Sequence, residues 1–328
     1  MIKEVKTLKG FSQSAEKFQG SHLLCPGCGH GIIVREVLNA VDGPIVLGNS
    51  TGCLEVCSAV YPHTSWDVPW IHIGFENGST AISGVEAMYK ALTNKGRYQG
   101  QKPKFVAFGG DGASYDIGLQ FISGCMERGH DMTYICLDNE NYANTGGQRS
   151  GSTPLGASTS TTPAGSVSFG KKEKKKDIVN IMASHGVPYV AQLSPNKWKD
   201  MNKKIKTALD TEGPCFINAL SPCTTEWKFE SNKTIELADM AVDSLMFPLF
   251  EIFNGRELKI TYRPRNIIPV RDYLGAQKRF KHLFKKENEH IIEELQKDVN
   301  ERWEYLQRRE EAKVITLPLN QGAFLGLV

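Results

Sequence analysis

Two short loops carry the residue types that could do chemistry together. Gly109-Gly110-Asp111-Gly112 closes an apolar run, and Asp138-Asn139-Glu140-Asn141-Tyr142-Ala143-Asn144-Thr145-Gly146-Gly147 follows one amphipathic segment later. Lys104 to Phe108 reads as a buried strand, and Met132 to Leu137 as a second one. Between them, Asp116 to Arg128 reads as a helix with Ile117, Phe121 and Met126 on its apolar side and Gly129 just past its end. Strand, helix, strand makes a parallel pair with a right-handed crossover. Both loops then leave the same edge of the sheet, where open α/β sheets bind ligands. Asp111 and Asn139 can there offer hard oxygens to one Mg2+, joined by a backbone carbonyl near Asn141. Two diphosphate oxygens would complete the octahedron. A Gly-Asp-Gly alone is a common turn; the paired asparagine loop makes it a metal candidate.

The cysteines are the second chemical feature: 25, 28, 53, 57, 125, 136, 215 and 223. Cys136 lies in a strand pattern, Cys125 in a helix and Cys215 before a strand, so these three read as packed core thiols. The Cys25-Pro26-Gly27-Cys28 turn, Cys53 after Thr51-Gly52, and Cys223 after Ser221-Pro222 are loop thiols where the backbone can wrap a ligand. Two metal readings stay open on spacing. Cys25, Cys28, Cys53 and Cys57 could form a zinc site, and Cys25, Cys28, Cys53 and Cys223 could hold a [4Fe–4S] cluster.

Taken together, these motifs resemble the diphosphate-binding signature of thiamine-diphosphate enzymes. The run Asn141-Tyr142-Ala143-Asn144-Thr145-Gly146-Gly147-Gln148, followed by Ser152-Thr153-Pro154-Leu155-Gly156-Ala157, narrows the likeness. It resembles the β subunits of 2-oxoacid:ferredoxin oxidoreductases, above all the pyruvate (pyruvate synthase) branch, from about Cys25 to about Trp227. The resemblance implies that Gly110, Asp111, Gly112, Ala113, Asn139, Asn141 and Ala143 form the Mg2+–diphosphate anchor. It also implies that His30, Thr51, Gly52, Cys53 and Asn144 lie near the cofactor. His30, where many relatives have glutamate, and Asn144 are then the candidate catalytic groups. Among the thiols it selects Cys25, Cys28, Cys53 and Cys223 for a [4Fe–4S] cluster and leaves Cys57 as a buried thiol. Glu226 departs from the family pattern, which has glycine before the tryptophan.

The implied reaction converts pyruvate, coenzyme A and oxidised ferredoxin to acetyl-CoA, CO2 and reduced ferredoxin. Branched-chain 2-oxoacids, aryl-pyruvates and oxalate are the alternative substrates. No second thiamine-type domain is visible here. The resemblance therefore implies an α subunit bringing the pyrimidine-binding domain and its activating glutamate, with γ and ferredoxin-like δ subunits or their fused equivalents. A reading from another class, a zinc-stabilised α/β scaffold, rests on Gly-Asp-Gly being only a turn.

The elements that must position these residues alternate strand and helix from His22 to about Leu220. Residues 44–47, 70–73, 187–191 and 214–218 join the strands already named, giving a doubly wound parallel sheet. Residues 146–170 form a long Gly/Ser/Thr/Pro loop of the kind that is often functional. Lys171 to Lys176 reads as a solvated helix entry. Residues 1–20 form a polar leader, 21–232 the cofactor domain and 233–328 a C-terminal helical extension. Within that extension, 235–253 is helical or extended and 254–275 is irregular. From Phe280 to Leu306 apolar residues recur at helical spacing among charges. That long helix and the apolar end from Val314 to Val328 are expected to dock partners. A net charge of +3 among 328 residues gives no nucleic-acid footprint. With no signal peptide and no apolar span, the expected location is the cytoplasm, where thiols stay reduced.

Overall fold

Six strands run parallel because nearly every one is followed by a helix that carries the chain back to the starting edge. In the computed structural model, which describes residues 7–312, they are β1 (Ile45–Ser50), β2 (Trp70–Ile73), β3 (Lys104–Gly110), β4 (Thr133–Asp138), β5 (Tyr189–Leu193) and β6 (Cys215–Leu220). Two further strands, β7 (Phe250–Phe253) and β8 (Glu257–Ile260), add on antiparallel, so the order is β2-β1-β3-β4-β6-β5-β7-β8. The central strands are buried on both faces; every residue of β4, β5 and β6 is inaccessible. This two-sided burial explains their continuous apolar runs.

Alternate side chains feed two cores. On one face Leu47, Val106, Ile135 and Ile217 pack with the helices Gly29–Asn39 and Trp198–Asp210. On the other, Phe105, Tyr134, Cys136 and Phe216 pack with Ile82 and with Ile122, Cys125 and Met126 of the helix Leu119–Glu127. β1 has β2 on one side and β3 on the other, so the winding reverses there. The crevice past the ends of β1 and β3 is the place such a sheet offers a ligand.

Several expectations need correction. The helix expected from Asp116 is broken: Gly112–Ile117 forms a π-helical turn, and the α-helix starts at Leu119. Ile117 is exposed, and Ile122 and Cys125 take the core positions. Residues 254–275, expected irregular, contain β8 and the helix Val270–Gly275. The segment beyond 232 therefore shares the sheet and is not a purely helical addition. The single long helix resolves into a 3-10 segment, Lys278–Phe284, and an α-helix, Glu289–Glu311. Its apolar stripe covers this chain's own core: Phe280, Leu283, Ile291, Leu295, Val299 and Leu306 are all buried. Within the leader, Phe18 is buried against Trp66, with ring centroids 4.7 Å apart. The expected apolar tail, Val314 to Val328, lies outside the described residues.

Candidate cofactor and metal site

β1, β3 and β4 end side by side, with Asn49 opposite Phe108 and Gly110 opposite Leu137. Past those ends lies a cleft open to solvent. His30, Thr51, Gly52, Cys53, Gly110, Asp111, Gly112, Ala113, Asn139, Asn141, Ala143 and Asn144 all line it. Residues separated by more than a hundred positions in sequence are thus gathered at one place.

Asp111 is fully buried. One carboxylate oxygen accepts a short hydrogen bond from Ser150 Oγ, and the other, Oδ1, has no partner. Burial, reinforced by the nearby Asp138 charge, holds its carboxyl well above the usual range. Asp138, one strand across, behaves oppositely. Burial alone would raise it, but Lys175 at 2.8 Å outweighs that and keeps it low. Tyr115 Oη, Ser152 Oγ, Asn218 Nδ2 and the Glu140 amide also donate to it. Asp138 is therefore saturated, whereas Asp111 keeps one buried oxygen without a protein partner. Asn139 Oδ1 accepts the Asn141 amide at 3.2 Å, which tightens the turn. Asn139 O in turn accepts Trp227 Nε1 at 2.8 Å. These oxygens fit a hard divalent cation.

The glycines divide the labour. Around Gly110 there is open space, and a Cβ there would project into it. At Gly112 a Cβ would lie 2.5 Å from the Tyr142 ring, whose Oη donates to Gly112 O. Gly112 is thus needed for the Tyr142 contact. Asn144 sits exposed at the rim. Thr51 Oγ1 meets His72 Nε2 at 2.8 Å. His30 is buried with Nδ1 2.5 Å from Ser221 Oγ, and burial lowers its pKa to about 4, so the imidazole is neutral.

The loop thiols also converge. The Cys25–Cys28 turn docks on the segment after β6: Gly29 N donates to Pro222 O, and Thr224 Oγ1 to Pro26 O. Gly27 has φ +74°, and a Cβ there would lie 2.2 Å from Ser231 O. Burial pushes the Cys28 thiol up to about 12, with further repulsion from Cys223, Cys25 and Cys57. Burial raises Cys53 as well, helped by the same neighbours and Cys28. Cys28 accepts the His30 amide, and Cys223 accepts the amides of Glu226 and Thr225. Cys57, expected as a buried thiol, is half-buried, with Cys25 near it. Among the described residues no three His, Cys, Asp or Glu side chains meet closely enough for one ion. A zinc ion needs its sulfurs at about 2.3 Å, whereas a four-iron cluster separates them around a larger body. Glu226 is accommodated in the short helix Thr224–Trp227, its carboxylate lying over Gly147.

Residues not foreseen complete the site. Asn49, Ser50, Leu54, Phe75, Tyr142 and Thr145 line the cleft. The lysine run, expected to be solvated, is so only in part: Lys172, Lys174 and Lys176 are exposed, whereas Lys171 is buried and Lys175 half-buried. Lys171 is buried with Nζ on Thr153 O at 2.5 Å, Lys175 joins Asp138 and Glu140, and Lys176 pairs with Asp116 at 2.8 Å. Its position just after the long loop was the available signal, but its acidic partners lie far off in sequence.

Comparison with known proteins agrees with this geometry. Residues 48–219 match the thiamine pyrophosphate enzyme family, C-terminal TPP binding domain. The chain is 49% identical over 292 residues to pyruvate synthase subunit PorB of Methanocaldococcus jannaschii, covering 89% of this chain and 96% of the relative. It is 45% identical to the subunit of the same name from Thermotoga maritima, over 88% and 91% of the two chains. Ketoisovalerate oxidoreductase subunit VorB of Pyrococcus furiosus is 39% identical, over 90% and 94%. A solved 2-oxoglutarate:ferredoxin oxidoreductase from Magnetococcus marinus shares the fold, with TM-score 0.53, 20% identity and coverage of 88% of this chain and 97% of that one.

Proposed function

The chain belongs to the family of thiamine-pyrophosphate enzymes that contains the pyruvate synthase PorB subunits, and from that premise we propose how its site works. It is the thiamine-diphosphate-binding β subunit of a 2-oxoacid:ferredoxin oxidoreductase. We infer pyruvate as its substrate, with coenzyme A as acyl acceptor and ferredoxin as electron acceptor. The observation that carries the cofactor site is the buried, unpartnered Oδ1 of Asp111 at the head of the cleft.

Asp111, the Asn139 side chain and the Asn141 carbonyl would hold Mg2+, and the ion would hold the diphosphate. Bound there, thiamine diphosphate supplies an electron sink for loss of CO2 from a 2-oxoacid. The chain's own residues place and shield it. Gly110 leaves room for the phosphates, and Ala113 continues the wall. His30, neutral and held by Ser221, offers a hydrogen bond without adding charge. Asn144 at the rim is available to substrate.

Cys25, Cys28, Cys53 and Cys223 would hold a [4Fe–4S] cluster, their amide contacts favouring thiolate. Cys53 lines the cofactor cleft itself, which makes single-electron transfer between the two sites short. The open rim calls for a second subunit to close it. An α subunit with the pyrimidine domain and activating glutamate, together with γ and ferredoxin-like δ subunits, fits that need. Among the described residues no helix is long and apolar enough to cross a membrane. The eight unpaired cysteines suit a reducing cytoplasm.

The test is anaerobic co-expression with the partner subunits, followed by turnover with pyruvate, 3-methyl-2-oxobutanoate and 2-oxoglutarate. Pyruvate should give the highest kcat/KM; preference for the branched acid would move the chain to the other branch, a reading that the VorB relative keeps open. Cys25→Ser, Cys28→Ser, Cys53→Ser and Cys223→Ser should each bleach the brown chromophore of this chain, and Cys57→Ser should not. Colour surviving in Cys223→Ser but lost in Cys57→Ser would overturn the ligand set. Turnover by the isolated chain would overturn the subunit reading.

A further inference from the structure

Glu140 stands between the two asparagines of the metal turn with φ 63°. That is the left-handed region, which a side chain with a Cβ occupies only at a cost. Two charged bonds from different elements hold it there. Oε1 accepts from Lys175 Nζ at 3.1 Å, and Oε2 from Arg279 Nη2 at 2.5 Å. Glu140 and Arg279 are only 4% and 2% exposed, so water does not replace either contact.

Arg279 comes from the 3-10 segment Lys278–Phe284, 139 residues further along the chain. Its guanidinium also lies over the Trp227 ring, 4.3 Å from the centroid. Trp227 is the residue whose Nε1 binds Asn139 O. Arg279 therefore reaches the turn at three points: directly at Glu140, directly at Asn141, whose Oδ1 accepts from Arg279 Nη1 at 3.5 Å, and through Trp227 at Asn139. Its own placement is fixed by Gln277 Oε1 at 2.8 Å and by the Ser158 amide on its carbonyl. A planar guanidinium can bond a carboxylate in its plane while stacking on a ring, which an ammonium cannot do.

We propose that Arg279 is a positioning residue for the magnesium–diphosphate site: it holds Glu140 left-handed so that the Asn139 side chain and the Asn141 carbonyl turn toward Asp111. This rests on the cofactor site proposed above. It makes the C-terminal segment part of the cofactor site, although that segment touches neither metal nor substrate.

The experiment uses the co-expressed complex, stripped of metal and titrated with Mg2+ at saturating thiamine diphosphate. Retained cofactor is the readout, and melting temperature of the metal-free complex the control. Arg279→Met should raise the Mg2+ concentration for half-maximal retention at least tenfold. Glycine adopts the left-handed conformation without a clamp, so Glu140→Gly combined with Arg279→Met should recover most of that loss. A purely structural role would lower the melting temperature without this recovery. If Arg279→Met does not assemble, Arg279→Lys decides, with an at least threefold higher Mg2+ requirement expected. An unchanged Mg2+ requirement in the folded variant, or a loss that glycine at 140 does not recover, overturns the proposal. If the unaltered complex shows no Mg2+-dependent retention, the cofactor reading itself fails, whatever the variants do.

Discussion

Asp111 and Asp138 are both buried within the same few ångströms of sheet edge, yet their environments drive them apart. Asp138 is ringed by four donors and a lysine; Asp111 has one hydroxyl and a bare oxygen. A buried carboxylate without compensation is costly, so this difference marks where positive charge is missing. Asp111→Asn should therefore have two effects of opposite sign. Metal-free protein should melt higher, because the cost of burying an ionisable carboxyl is gone. Mg2+-dependent retention of thiamine diphosphate should fall by roughly 100-fold or more, since loss of mere outer-shell partners already costs about 10–100-fold in metal affinity. Cofactor content by thiamine assay and thermal melts read the two effects separately. Retention at the level of the unaltered protein would remove Asp111 from the ligand set.

At the scale of elements, the sequence was legible wherever a local pattern decided the outcome. β1 to β6 announce themselves as apolar runs between Gly/Pro turns, and their winding order puts the two motif loops on one edge. β7 and β8 were not legible as strands. Each is four residues long, and β7 carries Glu251, a charge that argues against burial until Tyr189 Oη is seen bonding it at 2.8 Å. The lysine run misled in part for a similar reason, because Asp138 and Glu140 neutralise Lys175, and Asp116 neutralises Lys176, from other elements. The π-helical turn after Asp111 was hidden because no residue pattern distinguishes it from a helix start. Its mark is Gly118, whose amide bonds Ala113 O five residues back at 2.9 Å. A Cβ at Gly118 would lie 2.2 Å from that same oxygen. Gly118→Ala should then force the turn to shift, at an overpacking cost of about 1–3 kcal/mol. Because the turn begins one residue after Asp111, cofactor retention should drop with it. A variant with normal stability and normal retention would show that the turn tolerates an ordinary α-helical geometry.

For the whole molecule, the chain's last described helix changes what truncation means. Read from spacing alone, residues 278 to 328 looked like docking surface, so their removal was expected to weaken assembly more than it disturbed the cluster. The structure reverses that order. Phe280, Leu283, Ile291, Leu295, Val299 and Leu306 are buried with Leu155, Trp227, Leu237 and Tyr273, and with sheet residues at Leu306. Burying one such side chain contributes roughly 1.5–3 kcal/mol. Losing all of them therefore costs on the order of a domain's entire net stability, about 5–15 kcal/mol. The 3-10 segment also closes the long loop after the metal turn: His282 Nε2 lies 2.9 Å from Gly156 O and 2.7 Å from Phe169 O. Deleting residues 278 to 328 should thus abolish soluble chain or leave it expanded and without cofactor, whether or not partners are co-expressed. Val299→Ala, a smaller lesion in the same stripe, should lower the melting temperature while leaving assembly intact. Size-exclusion chromatography, thermal melts and thiamine content of the co-expressed complex distinguish the cases. A truncated chain that still folds and retains thiamine diphosphate, but no longer joins its partners, would restore the docking role and refute the structural one.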